Sequence, residues 1–408
     1  MPVLIVFLNN KLITCDAIVP VMAEVKRQYP AVAVEFVCTD ARTEQAIRAN
    51  IVLWDALLAT GRFVQLGRTR TGVAAWLKHR LTAPFRLARY AALGLLGRAS
   101  FLHFKALSFW PLKLLALIAP DRTCYVQSTT AGVTAIEQQV SDAISVRRHS
   151  PVVHAGGLLV GFTEDWPALI HPALKSRNRT MLAPPHTFTA WADHVNAGER
   201  RYFSSVLKSA DESAGRPIIT YILSSMDNNG LLREPHLFSP LLEETLSVLA
   251  ELGCTDPILI KPHPAMRPNY AAFIREAAAR YPGLDIHFCD LHPTVLALQS
   301  RFVIGNCYSS TFAHFRAANV PCVEYTDYRP EILGITGGQS MRPDMVDHFI
   351  NADRPGLAGV LRGLLARVPA ARLTGRPAGF TAPFLAALGV AGRDSASAKT
   401  LPSVRTNS

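Results

Sequence analysis

The sequence predicts an α/β protein in which two doubly wound domains, each with a parallel sheet, face one another across a cleft. Three observations support this fold class. Apolar β-like stretches alternate with helix-like segments along most of the chain, and short connections between them favour right-handed crossovers. A chain of 408 residues with 49% apolar content is also long enough for two domains with sizeable cores.

The first half opens with a strand over residues 3–8, a helix over residues 17–28 and a second strand over residues 33–38. This order is typical of the start of a doubly wound domain. Further strands are expected at residues 124–127 and 152–153. The N-terminal apolar run lacks a basic region before it and a small-residue cleavage site after it, so we expect a buried strand and not a signal peptide.

The second half begins after a polar stretch over residues 190–215, and the sequence predicts domains at residues 1–214 and 215–390. Strict β/α alternation follows, and the periodicity of apolar residues sets its elements. Strands are predicted at 218–223, 257–260, 285–288, 302–304 and 322–325, and helices at 240–252, 270–281, 294–300 and 312–318. A Gly-rich loop (334–340), helices over 341–351 and 355–368, and a disordered polar tail (391–408) are expected to complete the chain.

The net charge of +11 is concentrated in one segment of the first domain. No acidic residue lies between Asp55 and Asp121, whereas ten lysines and arginines alternate there with aromatic and leucine residues. Such a segment binds anionic headgroups while its apolar side enters the interface. We therefore predict a membrane-binding insertion at about residues 60–120, too interrupted to span a bilayer. A basic helical insert covered by the fold is the alternative, and no nucleic-acid-binding motif is present.

Two short motifs mark a candidate donor site. Lys261-Pro262-His263-Pro264 ends one predicted strand, and Tyr308-Ser309-Ser310-Thr311 follows another. Loops past the carboxyl ends of parallel strands are where open α/β sheets bind ligands. A histidine beside a lysine can pair with a departing phosphate and protonate it, and hydroxyls at a helix start can hydrogen-bond phosphate oxygens.

The ordered pair of motifs resembles the GT-B glycosyltransferases that carry an HP motif and a Ser-Ser/Thr motif. This group includes bacterial sialyltransferases and polysialyltransferases and, more distantly, the CDP-glycerol glycerophosphotransferases. The match is strongest over residues 218–328. The resemblance implies a GT-B fold with two Rossmann-type domains. It also implies that His263 protonates the leaving nucleotide, while Ser309, Ser310 and Thr311 hold its phosphate.

The acceptor-side base departs from this family's pattern. The sialyltransferases carry two acidic residues followed by glycine, and the nearest string here, Glu164-Asp165-Trp166, lacks the glycine. His154-Ala155-Gly156-Gly157 has the glycines but not the acids, and it resembles the His-Gly motif of the CDP-glycerol enzymes. His154, Asp165 and Glu164 therefore stay as alternative bases, each able to deprotonate an alcohol if its pKa lies near working pH.

Further donor contacts are expected around the two motifs. Lys261 can neutralise the donor phosphate, and Ser224 and Ser225 follow the first strand of the second domain. Glu324 lies where many GT-B enzymes keep an acid for the nucleotide ribose. No metal or other cofactor is expected, because protonated histidine, lysine and helix dipole can carry the developing charge. Asp285, His287, Asp290 and His292 form the one metal-like cluster, but strand alternation would place them on opposite faces.

Each of these residues also has a structural explanation. His263 can be a loop histidine between prolines, Ser309 to Thr311 can be a helix cap, and His154 can be structural. Glu164 and Asp165 can be first-turn charges of a helix. His292-Pro293 is a second His-Pro dipeptide, so the dipeptide alone has little specificity.

The combined prediction is a membrane-associated glycosyltransferase of bacterial capsule or lipopolysaccharide synthesis. Its donor would be a CMP-activated sugar such as sialic acid, and its acceptor an oligosaccharide, polysaccharide or glycolipid hydroxyl. Seven scattered cysteines without a C-x-x-C spacing indicate a reducing compartment, so we expect a cytoplasmic protein, peripheral on the inner face of the cell membrane and without a nucleic-acid partner. The alternatives are a CDP-glycerol-type glycerophosphotransferase and a non-catalytic nucleotide-binding scaffold.

Overall fold

Two parallel sheets form the framework of the protein. The computed structural model describes residues 2–8, 12–39, 41–66, 73–104, 110–127, 134–144, 156–162, 178–206, 216–223, 230–234, 238–263, 268–368, 373–376, 379 and 382–388. Every pairing between the named strands is parallel. The predicted α/β class is therefore confirmed.

The first sheet has seven strands in the order β3-β2-β1-β4-β5-β6-β7. They are β1 (Val3–Leu8), β2 (Ala33–Cys38), β3 (Arg62–Gln65), β4 (Ala99–His103), β5 (Thr123–Val126), β6 (Leu158–Gly161) and β7 (Asn178–Met181). The central strands β1 and β4 are almost wholly buried, as expected for a sheet covered by helices on both faces.

The second sheet has six strands in the order β10-β9-β8-β11-β12-β13. They are β8 (Ile218–Leu223), β9 (Ile258–Pro262), β10 (Ile286–Phe288), β11 (Ser300–Gly305), β12 (Cys322–Thr326) and β13 (His348–Asn351). The winding repeats that of the first sheet, because in both the strand order reverses next to the first strand. The reversal lies between β1 and β4 in one sheet and between β8 and β11 in the other.

Helices cover both sheets. They are α1 (Leu12–Gln28), α2 (Ala41–Ala49), α3 (Ile51–Thr60), α4 (Val73–Leu95), α5 (Trp110–Ile118), α6 (Ala135–Ala143), α7 (Thr189–Ser204), α8 (Phe238–Glu251), α9 (Pro268–Ala279), α10 (Pro293–Gln299), α11 (Phe312–Ala317), α12 (Pro330–Thr336), α13 (Arg354–Leu365) and α14 (Ala382–Ala387). One apolar core runs from β1 through α1 and α7 to α10 and α11, so it joins the first sheet to helices of the second.

The basic segment is not an insertion. Residues 60–120 contain β3 and β4, and β4 pairs directly with β1 at the centre of the sheet. All five residues of β4 are buried. In the described part of this segment, the helices at the surface are α4 and α5. The sequence concealed β4 because its small and polar residues, Ala99, Ser100 and His103, interrupt the apolar run.

Two other predictions differ from the structure, and two more lie outside the described residues. Residues 341–351 were expected to form a helix, but β13 ends this stretch and pairs with β12, and α12 occupies the start of the expected Gly-rich loop. The strand expected at 152–153 and the proposed domain join at 215 fall outside the described residues. Residues 373–388 were assigned to the second domain, yet Leu373 and Phe384 join the core beside the first sheet, and Leu388 accepts a hydrogen bond from Ser100 Oγ at 2.7 Å.

Among the described residues, no helix is long and apolar enough to cross a membrane. All seven cysteines are buried, and none of them forms a disulfide.

Candidate functional site

The two reversal points are the natural place to look for a ligand. In open α/β sheets, ligands bind outside the carboxyl ends of the strands where the strand order reverses. At the first sheet this edge leads from β1 into α1. At the second it leads from β8 and β11 into the segments after Leu223 and Gly305.

The Ser309 to Thr311 segment follows β11 at this reversal point. The carbonyl oxygens of Ser309, Ser310 and Thr311 accept backbone hydrogen bonds that begin α11. Ser309 Oγ accepts the amide of Thr311 at 3.3 Å, and all three side chains remain partly exposed. The segment therefore starts a helix, as its structural explanation requires, and also leaves hydroxyl groups at the expected ligand edge.

Glu324 supports this segment from below. Its side chain is fully buried on β12, and Oε1 accepts the amide of Tyr308 at 2.9 Å. The hydroxyls of Tyr328 and Ser340 donate to the two carboxylate oxygens. Burial raises the pKa of Glu324 to about 7, although these hydrogen bonds oppose the shift. The carboxyl group is hydrogen-bonded to three protein groups, and the ribose contact that the sequence suggested stays a prediction.

Lys261 and His263 lie at and just beyond the end of β9. Burial lowers the pKa of Lys261, and the nearby Cys289, Asp290 and Asp16 oppose that shift. His263 keeps more exposed surface, but burial and the charge of Lys261 lower its pKa as well. An anion bound between them would favour the protonated form of both groups.

The two motifs do not follow adjacent strands. β8 lies between β9 and β11, so the strand ends that carry them are about 10 Å apart at the usual strand spacing. Ser224 and Ser225 directly follow β8 in the sequence and lie outside the described residues. A donor that contacts both motifs must therefore pass over the end of β8.

The three proposed bases, His154, Glu164 and Asp165, also lie outside the described residues. The glycines of the His154 string have a packing explanation. Gly156 has φ +78°, and a side-chain carbon there would clash with the carbonyl oxygen of Thr123. The amide of Gly157 donates to the carbonyl oxygen of Pro120 at 2.6 Å. Close backbone approach alone thus accounts for these glycines.

A buried cluster that sequence reasoning missed joins the two sheets. Asp16, in the first turns of α1, accepts hydrogen bonds from His292 Nε2 at 2.8 Å and from His314 Nε2 at 2.9 Å. His292 precedes α10 and His314 lies in α11, so both histidines belong to the second sheet's helices. The two rings are only 2% and 3% exposed, whereas the Asp16 side chain is 14% exposed.

Thr294 connects the two histidines. Its amide donates to His292 Nδ1 at 3.2 Å, and its Oγ1 lies 2.8 Å from His314 Nδ1. The indole N–H of Trp191 donates to the same Oγ1 at 3.3 Å. The Thr294 amide at Nδ1 assigns His292 as a neutral ring whose Nε2–H points at Asp16, and His314 Nε2–H points at the second oxygen of the same carboxylate.

The cluster fits a hydrogen-bond network better than a metal site. Asp16, His292 and His314 each offer one ligand atom, and these atoms lie within 4.8 Å of one another. A cation needs an unprotonated nitrogen from each histidine. At His292 the nitrogen facing Asp16 carries the hydrogen, because the other nitrogen accepts the Thr294 amide. The metal-like set expected around His287 is also divided: His287 pairs with Asp285 on the surface at 2.6 Å.

Burial and charge act in opposite directions in the cluster. Burial alone would raise the pKa of Asp16, but the interactions with His314 and His292 hold it well below its usual range. Burial lowers the pKa of His292 despite the carboxylate beside it. His186, whose ring centre lies 4.8 Å from that of His314, has its pKa lowered to about 3, mainly by burial. The site therefore holds one ionised carboxylate that accepts hydrogen bonds from two imidazole N–H groups.

One feature of the sequence drew attention to this cluster, and one expectation concealed it. His292-Pro293 is the second His-Pro dipeptide of the chain. The expected start of α1 at residue 17 placed Asp16 in a loop, whereas the helix begins five residues earlier, at Leu12, and includes Asp16. Neither feature indicates that Asp16 and His292, 276 positions apart in sequence, are in contact.

Comparisons with known proteins support the fold. No protein-family model matches the chain, and none of the curated proteins matches it in sequence. Among solved structures it is similar to a putative UDP-N-acetylglucosamine 2-epimerase from Listeria monocytogenes, with 12% identity, a TM-score of 0.51 and 92% of each chain covered. It is also similar to the UDP-GlcNAc 2-epimerase of Methanocaldococcus jannaschii, with 11% identity, a TM-score of 0.50, and 92% of this chain and 96% of that chain covered. The predicted GT-B-like fold class is confirmed, and identities this low establish the fold alone.

Proposed function

We propose that this protein is a glycosyltransferase that takes a sugar from a nucleotide-activated donor and attaches it to a glycan hydroxyl at a membrane surface. The observation that carries the proposal is the place of the Ser309 to Thr311 segment. Its hydroxyls lie at the reversal point of the second sheet, and Lys261 and His263 lie at the same edge two strands away.

The chemistry assigns each group one task. The acceptor oxygen attacks the anomeric carbon, a new C–O bond forms, and the bond from that carbon to the phosphate oxygen breaks with its electron pair. The leaving phosphate takes a proton from His263, while Lys261 and the hydroxyls of Ser309, Ser310 and Thr311 stabilise its charge. The acceptor proton passes to a base of the first domain, for which His154, Asp165 and Glu164 stay the candidates.

A panel of activated donors tests which nucleotide the protein uses. We propose a CMP-activated sugar, sialic acid or a relative, with transfer into capsule or lipopolysaccharide. The Methanocaldococcus enzyme of similar fold was determined with UDP-GlcNAc and UDP, so UDP-sugars belong in the same test. Purified protein would be offered CMP-sugars, UDP-sugars and CDP-glycerol separately, and the released nucleotide and the product would be identified.

Each outcome favours one function. CMP release with sugar transfer supports the proposal, and UDP release with sugar transfer keeps the reaction but changes the donor. Transfer of a phosphorylated alcohol supports the CDP-glycerol-type alternative, in which His154 is the base. Binding of a nucleotide without turnover of any donor supports the non-catalytic scaffold.

The membrane part of the proposal depends on α4. The outward stripe of this helix is apolar: Leu77, Leu81 and Phe85 recur every four residues, are 51%, 57% and 76% exposed, and are continued by Leu95 and Leu96. The adjoining α5 exposes Leu114 and Leu117. Soluble surface helices normally turn such a stripe inward. An outward apolar stripe of this length indicates an interaction surface.

Contacts on the other side of α4 fix this orientation. Tyr90 is fully buried, and its hydroxyl donates to Glu35 on β2 at 3.0 Å. Arg89, one turn after Phe85 at the border of the stripe and half exposed, also reaches Glu35 and donates to both of its oxygens at 2.9 and 3.0 Å. Because these bonds hold the inner face on the sheet, the leucine stripe faces solvent in the folded protein.

Charge complementarity favours an anionic bilayer as the occupant. Arg80 and Arg98 are exposed on and just after α4, and the whole stretch from Asp55 to Asp121 contains no acid between its ends. An apolar stripe with flanking cations lies in the interface plane and gains about 1 kcal/mol for each cation near an anionic surface. We propose a peripheral location on the inner face of the cell membrane.

Vesicle sedimentation tests this surface. Vesicles of phosphatidylglycerol in phosphatidylcholine should bind the protein more strongly than pure phosphatidylcholine, and added salt should weaken the binding. Phe85→Glu should reduce binding about tenfold or more, whereas Val368→Glu, at an apolar residue 88% exposed elsewhere, should not. Self-association that Phe85→Glu abolishes would assign the stripe to a second copy, and binding to RNA or DNA alone would assign the cations to nucleic acid.

A further inference from the structure

The Asp16 cluster lies between the proposed donor site and the first sheet, and it touches both. Through His314 it holds α11, the helix that begins at the Ser309 to Thr311 segment. Through His292 it holds the start of α10, which follows β10. Asp16 itself belongs to α1, which follows β1 at the reversal point of the first sheet.

Every hydrogen-bonding atom of the two histidines is used. Each ring gives Nε2–H to Asp16 and has its Nδ1 hydrogen-bonded to Thr294, to the amide at His292 and to the hydroxyl at His314. Neither ring has a free nitrogen for a substrate proton, so the pair is unsuited to acid–base catalysis in this arrangement. A buried network with all members satisfied fixes geometry instead.

The carboxylate also influences the predicted phosphate-binding cation. Asp16 is among the charges that raise the pKa of Lys261, and Lys261 in turn lowers the pKa of His292 and of His263. The negative charge at Asp16 therefore helps to keep Lys261 protonated where a donor phosphate would lie.

We propose that Asp16 is a positioning residue of the donor site. Its ionised carboxylate fastens α10 and α11 of the second sheet to α1 of the first, and so holds the Ser309 to Thr311 hydroxyls at a fixed place opposite the acceptor side. The effect of Asp16 on donor binding rests on the proposed function. Its connection of α1 to α10 and α11 does not.

Hydrogen exchange of the ligand-free protein tests the structural part. Asp16→Asn keeps the shape but removes the charge, and only one histidine can then donate to the remaining oxygen. Peptides covering residues 291–299 and 309–317 should exchange about tenfold faster in Asp16→Asn. Asp285→Asn removes an exposed Asp–His pair of similar length, at 2.6 Å, and should leave these peptides unchanged.

Ligand coupling tests the positioning role. In the wild type, the nucleotide that the donor panel identifies should slow exchange in the N-terminal turns of α1 as well as in α11. In Asp16→Asn the protection should stay in α11 and disappear from α1. The donor KM should rise about tenfold, whereas the acceptor KM should stay unchanged.

Thr294→Val provides a second variant if Asp16→Asn folds poorly. It removes the hydroxyl that links His314 to Trp191 and leaves the backbone amide that holds His292. Faster exchange should then be confined to 309–317. Unchanged exchange in 309–317, or an equal increase in every peptide, would overturn the proposal. A wild type that turns over no nucleotide sugar would overturn the proposed function alone, because hydrogen exchange in the ligand-free protein still reports on the contact of Asp16 with His292 and His314.

Discussion

Two His-Pro dipeptides follow neighbouring strands at the same edge of the second sheet, yet their surroundings differ. His263 directly follows β9, keeps exposed surface and has a lysine two residues before it. His292 follows β10, is 2% exposed and donates to a carboxylate on a helix of the first sheet. The same dipeptide therefore lies at an exposed strand end in one case and makes a buried contact between the two sheets' helices in the other.

The difference shows that a short motif does not define its own role. What separates the two histidines is their surroundings: the charge of Lys261 and an exposed position for His263, and the buried contacts with Asp16 and Thr294 for His292. The comparison predicts that replacing His292 affects mainly stability, whereas replacing His263 affects mainly turnover.

The largest effect is expected for His292→Ala. It leaves the buried Asp16 carboxylate with one donor in place of two, and breaking one side of a buried ionic network is destabilising by about 3 kcal/mol. Urea unfolding at neutral pH measures the loss. His287→Ala, at the exposed Asp285 pair, should change the free energy of unfolding by less than about 0.5 kcal/mol. Equal effects of the two variants would contradict the distinction between buried and exposed histidines.

His263→Ala should lower kcat about 10²-fold, the usual contribution of a general acid, while the free energy of unfolding changes by less than about 0.5 kcal/mol. Steady-state kinetics with the identified donor provide the measurement, and His287→Ala serves again as the control, with unchanged kcat. Activity that survives within a few-fold would remove His263 from the acid role. With a donor whose leaving group needs less protonation, the kcat of His263→Ala should be closer to that of the wild type.

Acid should destabilise the protein through its buried histidines. His186 has its pKa lowered to about 3, against about 6.5 in an unfolded chain. Between these values the unfolded state binds the proton and the folded state does not, so stability falls as pH falls, by about 1.4 kcal/mol per pH unit. His186→Phe should remove this slope. Unfolding curves at several values between pH 7 and 4 would show a constant difference between wild type and variant if the histidine were not responsible.

Glu324 should make stability depend on pH in the opposite sense to His186. Its effect on turnover should be weaker than that of His263. Its pKa is raised to about 7, so the folded state holds a proton that the unfolded state loses above about pH 4.5, and stability falls as pH rises through that window. Glu324→Gln should flatten the decline and change the donor KM less than about threefold. A large rise in donor KM with unchanged stability would favour the ribose contact that the sequence suggested.

Much of the fold was predictable from local patterns. The strands at residues 3–8, 33–38 and 218–223 match the structure residue for residue, because each is a run of mainly apolar residues, with at most one polar residue, in a strand buried on both faces. Strand β13 was predicted as a helix, because three of its four residues, His348, Phe349 and Asn351, are half-exposed at the sheet edge and the strand shows no strong alternation.

The candidate site was predictable only in part. Local sequence was enough to locate His263 and the Ser309 to Thr311 segment at strand ends, since the apolar run before each reveals the edge. The missing Asp-Asp-Gly pattern left the base open, and His154, Glu164 and Asp165 stay predictions. Local sequence could not reveal Glu324 as a buried support for Tyr308, because its partners come from two separate loops.

The sequence by itself determined the class of fold, the positions of most strands, the two donor-side motifs and the basic, leucine-rich segment, because each depends on residues close together in the chain. The tertiary structure alone decided that β4 lies at the centre of the sheet, that α4 turns its leucines outward and that Asp16 meets His292 and His314. These last contacts depend on how two sheets pack, and the energy of a buried carboxylate between two imidazoles exists only once burial and long-range packing have brought the groups together.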